Sequence, residues 1–338
     1  MRNYVGLDLH SNNTYIGILD EEGRRIYKGK HLNYTALILS ELEPFQEKAA
    51  GVVVESTYNW YWLVDKLIET GYNVHLANPS AIKQYEGLKN TNDYHDAFHL
   101  ANLLRLGILK EGYIYPKEER ALRDLLRKRA MLVRHRTAHI LSFQSLYNRH
   151  TGFTLRSEDI KRIKDRELDE LSPLEHVRRS GQVNISVIRF LSAEIEEIEK
   201  VVLSSMRLKE EFQKLKTVSG IGDILALTIA LETGEINRFA KVGNFASYCR
   251  LVTSQRLSNE KKKGEGNRKN GNKYLCWAFI EAAHHAKRYC PYARKFFQRK
   301  STKSKKVVAF KALAHKLARA SYFVMRDRVD YDPQKAFG

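Results

Sequence analysis

The chain has 338 residues, 43% of them hydrophobic types, and a formal net charge of +19. That length holds two or three domains with ordinary cores, and no apolar run is long enough to span a bilayer. Met1-Arg2-Asn3-Tyr4 lacks the layout of a secretion signal, and Cys249, Cys276 and Cys290 form no Cys-x-x-Cys pair, which argues against a disulfide scaffold or a cysteine zinc site and for a reducing cytoplasm.

Residues 3–9, 14–19 and 24–30 read as three strands, with Asp20-Glu21-Glu22-Gly23 as the turn between the second and third. Residues 35–48 read as a helix, 51–55 as a short buried strand, 59–70 as a helix and 73–77 as a fifth strand, after which Asn78-Pro79-Ser80 opens a helical region. A meander followed by alternating elements predicts an α+β fold, a mixed sheet with helices packed on it.

Asp8 sits inside the first strand and Glu55 closes the fourth. Carboxylates in apolar strands are costly unless paired or bound to cations. Residues 92–107 place Ala97, Leu100, Ala101 and Leu104 at helical spacing, with Asn92 as N-cap and Asp93 and Asp96 on the first turn. A helix dipole favours such acids even without metal. If the fourth strand lies beside the first, the helix can carry Asp93 and Asp96 over Asp8 and Glu55. Four converging carboxylates suit hard divalent ions such as Mg²⁺, and a pair of such ions can act on one phosphate. His95 and His99 have the i,i+4 spacing of a zinc helix, but Asp96 stands where a zinc protease has Glu and no third ligand is evident. His95 is expected beside the acids, as a phosphate or water contact.

Residues 118–148 form a long basic helical stretch. Residues 185–214 form another, with Ile188, Leu191, Ile195, Ile198 and Val202 as a short heptad seam. That seam either pairs two protomers or folds back on the 118–148 helix. The polar segment 151–183 reads as a linker or loose hairpin. The expected domains are 1–115, 116–214 and 215–338.

Charge is concentrated in the last of these. Residues 1–215 carry 32 Lys/Arg against 30 Asp/Glu, and residues 216–338 carry 26 against 9, the balance of a polyanion-binding surface. Thr217-Val218-Ser219-Gly220-Ile221-Gly222-Asp223 is either a helix-hairpin-helix turn, offering backbone N–H groups to a phosphate, or a plain turn between helices. Arg256, Lys261, Lys262, Lys263, Arg268, Lys269 and Lys273 crowd a Gly- and Asn-rich loop headed by Ser258, where phosphates are expected. By spacing alone Ser258 reads as a solvated loop serine. Residues 303–328 alternate Lys/Arg with apolar residues, as a nucleic-acid-binding helix or as a domain cover with a solvated face.

Several of these stretches resemble the transposases of the insertion-sequence 110 family, the DEDD transposases related to the pilin-gene invertase Piv. Gly6-Leu7-Asp8, Val54-Glu55-Ser56 and Asp93-Tyr94-His95-Asp96-Ala97 are similar to that family's RuvC-like, ribonuclease-H-like domain. Val218-Ser219-Gly220-Ile221-Gly222, Ala246-Ser247-Tyr248-Cys249-Arg250-Leu251-Val252, Ser258, Gly271-Asn272-Lys273-Tyr274-Leu275 and Glu281-Ala282-Ala283 are similar to its C-terminal domain.

The resemblance implies a RuvC-like domain, a helical coiled-coil middle and a mainly α C-terminal domain. It implies that Asp8, Glu55, Asp93 and Asp96 bind Mg²⁺ and that Ser258 attacks a DNA phosphate to form a phosphoserine link. It also implies donor and target DNA as substrates, a structured non-coding bridge RNA as guide, and dimers that join into tetramers, the serine of one protomer meeting the acids of another. The chain departs from the family at Leu257-Ser258-Asn259, where Ser-Gly or Ser-Ser-Gly is usual, and at Arg250-Leu251-Val252-Thr253, where Gly-Leu-Val-Pro is usual. Ser254 is the nearby rival nucleophile. A RuvC-like nuclease using water, such as a junction resolvase, and a binding module with structural acids are the alternatives.

Overall fold

Alternation along the first strand decides which side chains meet which layer. The protein is described from a computed structural model, which covers residues 2–82, 92–169, 172–206, 209–253, 256–264 and 270–338. Strands β1 (Asn3–Leu9), β2 (Asn13–Leu19), β3 (Arg25–Leu32), β4 (Ala49–Glu55) and β5 (Val74–Ala77) form one sheet in the order β3-β2-β1-β4-β5. β1, β2 and β3 are an antiparallel meander, and β4 and β5 run parallel to β1. This is the α+β architecture expected, with β4 beside β1 as convergence of Asp8 and Glu55 requires.

One face of the sheet presents Val5, Leu7, Ile16, Ile18, Val52 and Val54 to Ile38 and Leu42 of α1 (Thr35–Leu42) and to Leu63, Val64 and Leu67 of α2 (Tyr61–Glu69). The opposite face takes α3 (Asp93–Arg105), whose N-cap Asn92 accepts from the His95 N–H. Gly6 and Gly17 face each other across β1 and β2 and let α3 lie directly on the strands. A Cβ on Gly6 would sit 2.0 Å from the Ala97 carbonyl oxygen, and one on Gly17 2.9 Å from the Phe98 ring. Gly6→Ala is therefore expected to lower the stability of this unit by about 3 kcal/mol, at the upper end for overpacking. Urea melts check it, with Gly112→Ala as control, because a Cβ there meets nothing closer than 3.5 Å.

These elements lie in the compact unit Met1–Lys117; Glu118–Gly338 is a second unit. The second begins with α4 (Lys117–Thr151), then α5 (Ser157–Arg162), α6 (Asp165–Asp169) and α7 (Glu175–Met206). The heptad seam of α7 is used within the chain: Ile188, Leu191, Ile195 and Val202 are buried. Arg129 pairs with Glu199, Arg136 donates to Ser192, and His139 meets Asn184, so α4 and α7 lie antiparallel. Of the two readings of the seam, folding back on α4 is the one the structure adopts. The segment read as a linker carries α5 and α6, and its Ile160, Ile163 and Leu168 join Phe143, Ile185 and Ile188 in a small satellite core. Its polar composition hid those few anchors, which is why sequence reading missed them.

The rest of the unit surrounds one large core. It comprises α8 (Glu210–Lys216), α9 (Asp223–Thr233), α10 (Val242–Tyr248), α11 (Lys273–Tyr289), α12 (Pro291–Ser301), α13 (Lys306–Asp327) and α14 (Pro333–Phe337). A two-stranded hairpin, β6 (Arg256–Ser258) and β7 (Lys261–Gly264), precedes α11. The basic helix expected at 303–328 is α13, and its apolar stripe of Leu313, Leu317 and Tyr322 is buried in that core. Among the described residues no helix is long and apolar enough to cross a membrane.

Candidate active site

Asp8 enters the site from β1 on the face covered by α3, at 5% exposure. Burial pushes its carboxyl above the usual carboxylate range; His10 opposes that, and the charges of Asp96 and Asp93 reinforce it. Glu55 at the end of β4 is raised for the same reasons: burial first, then Asp8 and Asp96, against His10. Asp8 thus lies in the fields of Asp93 and Asp96, and Glu55 in those of Asp8 and Asp96. A cleft of about 280 Å³ beside them is lined by Glu55, Pro79, Ile82, Asp96, His99 and Leu100.

Strand register and helix packing produce this convergence. Leu7 pairs with Val54, so Asp8 and Glu55 end neighbouring parallel strands. Gly6 lets α3 seat on β1 at Ala97 and Ala101, and Asp93 and Asp96, on the turn just before, come with it. The imidazole found against Asp8 and Asp93 is that of His10, which sequence reading did not single out. Its Nε2 lies 3.1 Å from Asp8 Oδ2 and 3.7 Å from Asp93 Oδ1. The signal was present as Asp8-Leu9-His10, since His10 directly follows the last residue of β1 and extended chain returns every second side chain to the same face.

The donor chemistry fits a divalent cation. Asp8, His10 and Asp93 each offer an atom within 4.8 Å of the others, and Glu55 and Asp96 add carboxylate oxygens nearby. Mutually repelling, partly desolvated carboxylates gain most from a hard cation.

In the second unit, Ser258 stands exposed at the tip of the β6–β7 hairpin, paired with Lys261. Asn259 and Glu260 complete the turn with φ of 51° and 61°. Positive φ at both central residues is the requirement of the tight type I′ hairpin turn. Asn259 therefore adopts the left-handed conformation that a glycine after the serine would, so the departure from Ser-Gly keeps a tight turn. Lys261 and Lys263 are exposed on the same hairpin. Arg256 and Lys262 lie on its strands, Lys273 is exposed at the start of α11, and Arg268, Lys269 and Ser254 lie outside the described residues.

Both roots of the hairpin loop are tied together. Arg250, at φ 56°, donates from Nε to the Asn270 and Gly271 carbonyls at 3.1 and 3.0 Å. Asn272 caps α11 by accepting from Tyr274 and Leu275, and its Nδ2 donates to Glu232 at 2.7 Å. Glu232, 2% exposed, takes two hydrogen bonds from Arg127 of α4 at 2.6 and 2.7 Å. The network joins residues too distant in sequence for local pattern to reveal. Arg127→Met strands the buried carboxylate and is expected to cost about 3–5 kcal/mol, while Arg127→Met with Glu232→Leu recovers much of it. Thermal melts of the two variants give the comparison.

The glycine turn before α9 divides into two roles. A Cβ on Gly220 (φ 88°) would lie 2.3 Å from the Ala282 carbonyl oxygen, so its glycine is explained by close packing on α11. Gly222 caps α9 in open space, beside a groove lined by residues 216–225 and His285. Asp223, next in line, is paired with Lys216 at 2.7 Å.

Comparison with known families covers most of both units. A model of the IS116/IS110/IS902 transposase family matches residues 212–298, and a transposase model of the IS110 DEDD type matches residues 5–150. The chain is similar to the transposase for insertion sequence element IS1111A of Coxiella burnetii, with 24% identity over 292 residues, 82% of this chain and 76% of the relative. It is similar to the transposase for insertion sequence element IS1328 of Yersinia enterocolitica, with 24% identity over 331 residues, 95% and 96% of the two chains. A probable family 20 transposase of Pseudomonas aeruginosa is 25% identical over 247 residues, 71% and 72% of the two.

Proposed function

Because the chain belongs to the IS110 family of transposases and is a DNA transposase, we propose that it cuts and exchanges DNA strands through Asp8, Glu55, Asp93, Asp96 and Ser258. The observation that carries this reading is geometric: Asp8 and Asp93 converge with His10 within 4.8 Å, and Glu55 and Asp96 line the adjoining cleft. Divalent ions, with Mg²⁺ the proposed species, would be held by these carboxylates and would neutralise charge at the scissile phosphate. His10 orients Asp8 and Asp93 from between them.

Ser258 Oγ forms a bond to phosphorus while the bond from phosphorus to one deoxyribose oxygen breaks. The serine proton is lost to solvent, and the departing oxygen takes one up. A hydroxyl of the second strand then reverses the step and frees the serine. Exposed Lys261 and Lys263 lie where they can steady the phosphate before attack. The positive excess of residues 216–338 supports contact with donor and target DNA and with a structured guide RNA. In this reading 1–115 is the acidic RuvC-like domain, 116–214 a helical region that joins protomers into dimers and then tetramers, and 215–338 the serine-bearing domain.

The test is to trap a protein–DNA adduct with Mg²⁺ and map the linked residue by mass spectrometry. A link at Ser258 supports the mechanism. Metal-dependent cleavage with no adduct at any stage favours water as nucleophile and overturns the role of the serine.

A further inference from the structure

The edge strand β3, separated from the acid-bearing β1 by β2, carries a row of cations. Asp8 faces Tyr15 across β1–β2, and Tyr15 faces Lys30 across β2–β3. Directly opposed residues project to the same face, so this row joins an acid of the site to a lysine about 10 Å away, two interstrand spacings. The next row is Gly6, Gly17 and Lys28. A register shift between Ile18 and Leu19 then pairs Leu19 with Arg25, which returns Arg25 to the face of Lys28 and Lys30. Without that bulge Arg25 would point to the opposite side.

Each cation rests on a ring. The Arg25 guanidinium lies 4.4 Å over Phe98, Lys28 Nζ 5.7 Å over Tyr94, and Lys30 Nζ 5.1 Å over Tyr15. The rings themselves lead toward the acids: Tyr94 meets Tyr15 edge-on at 4.9 Å, and Tyr15 meets His10 at 5.6 Å. All three cations are exposed. Lysines on an edge strand also deter sheet-to-sheet aggregation. That purpose does not require three cations on one face, each laid on an aromatic ring, with Lys30 at the end of the row that starts at Asp8.

We propose that Arg25, Lys28 and Lys30 form a track that holds successive phosphates of the DNA strand entering the acidic site. Lys28 and Lys30 are two residues apart on a strand, about 7 Å, a stride comparable with neighbouring phosphates of an extended chain. The rings fix the direction of the cations and offer flat surfaces to sugar and base. The track rests on the reading of the acids as the cutting site, and it supplies the binding register of that reading.

The test is the salt dependence of binding of the full chain to a fluorescent single-stranded DNA oligonucleotide, and to an RNA of the same sequence. Arg25→Gln/Lys28→Gln/Lys30→Gln is expected to reduce the slope of log affinity against log salt by about 2 on DNA, since each lost phosphate contact removes about 0.7 for a single strand. Arg25→Lys/Lys28→Arg/Lys30→Arg restores the slope, while circular dichroism shows all variants folded. An unchanged slope on DNA overturns the track and leaves the cations as edge protection. A slope that falls on RNA alone overturns the assignment to the DNA strand. The readout is binding, so it is separate from catalysis. A wild-type protein that binds with the full slope but never cleaves overturns the cutting site, and a cleaving protein whose triple variant keeps its slope overturns only the track.

Discussion

Asp8→Asn is expected to lower DNA strand cleavage by at least ~10³-fold while raising the stability of the metal-free protein. The two effects share one cause. Asp8 is nearly buried beside Glu55, Asp93 and Asp96, and its ionised form is disfavoured by burial and by those charges. Without a cation the negative charge is a liability; in the proposed mechanism a bound cation would use it as a ligand. Loss of a carboxylate that holds a catalytic ion removes several kcal/mol of charge stabilisation, and about 4 kcal/mol corresponds to that rate loss.

The pH dependence has a definite sign. The folded-state pKa values of Asp8 and Glu55 are raised, so the folded metal-free protein holds these protons more tightly than the unfolded chain. Their contribution to stability is full below the ordinary carboxylate values and is lost as pH rises through the raised ones. Thermal melts in chelator should therefore show wild type losing stability over that window and Asp8→Asn losing less. Added Mg²⁺ should stabilise wild type and barely move the variant. Equal stabilisation of both proteins by Mg²⁺, with cleavage retained, would remove Asp8 from the metal site.

Ser258→Ala is expected to abolish the covalent adduct and reduce strand exchange to background, with DNA affinity little changed. The hydroxyl is exposed at a hairpin tip and its loss leaves no buried group unpaired. Nothing in the fold therefore predicts a stability cost beyond about 0.5 kcal/mol, the range of surface substitutions. Removing a covalent nucleophile typically costs several orders of magnitude in turnover. The decisive measurement is denaturing gel electrophoresis of protein incubated with labelled DNA. An adduct that persists in Ser258→Ala and maps to Ser254 would move the nucleophile to that residue. Cleavage at the wild-type rate without any adduct would leave a hydrolytic nuclease.

The sheet was legible because its strands carry their instructions locally. Apolar alternation marked β1 and β2, the turn Asp20–Gly23 closed the meander, and Asn92 announced the start of α3. Asp8 and Glu55 stood out because acids are unusual within or at the ends of apolar strands, whereas Asp93 and Asp96 are ordinary at a helix start and gained meaning only together with them. His10 did not stand out, since its importance comes from a distance to Asp93, a residue on another element. The heptad seam of α7 was equally visible, but periodicity says that a stripe is buried and not by what; Arg129–Glu199 and His139–Asn184 identify α4 as the partner.

Composition and local pattern by themselves determined the order of the sheet's strands and helices, the acidic residues worth watching and the basic character of the last third, because propensity, capping and charge are properties of neighbouring residues. Only the tertiary structure decided that Gly6 seats α3 on β1, that a bulge turns Arg25 to the face of Lys28 and Lys30, and that Glu232 ties Arg127 to the cap of α11. Those outcomes depend on close approach, register and burial between segments far apart in the chain, quantities that exist only once the layers have packed.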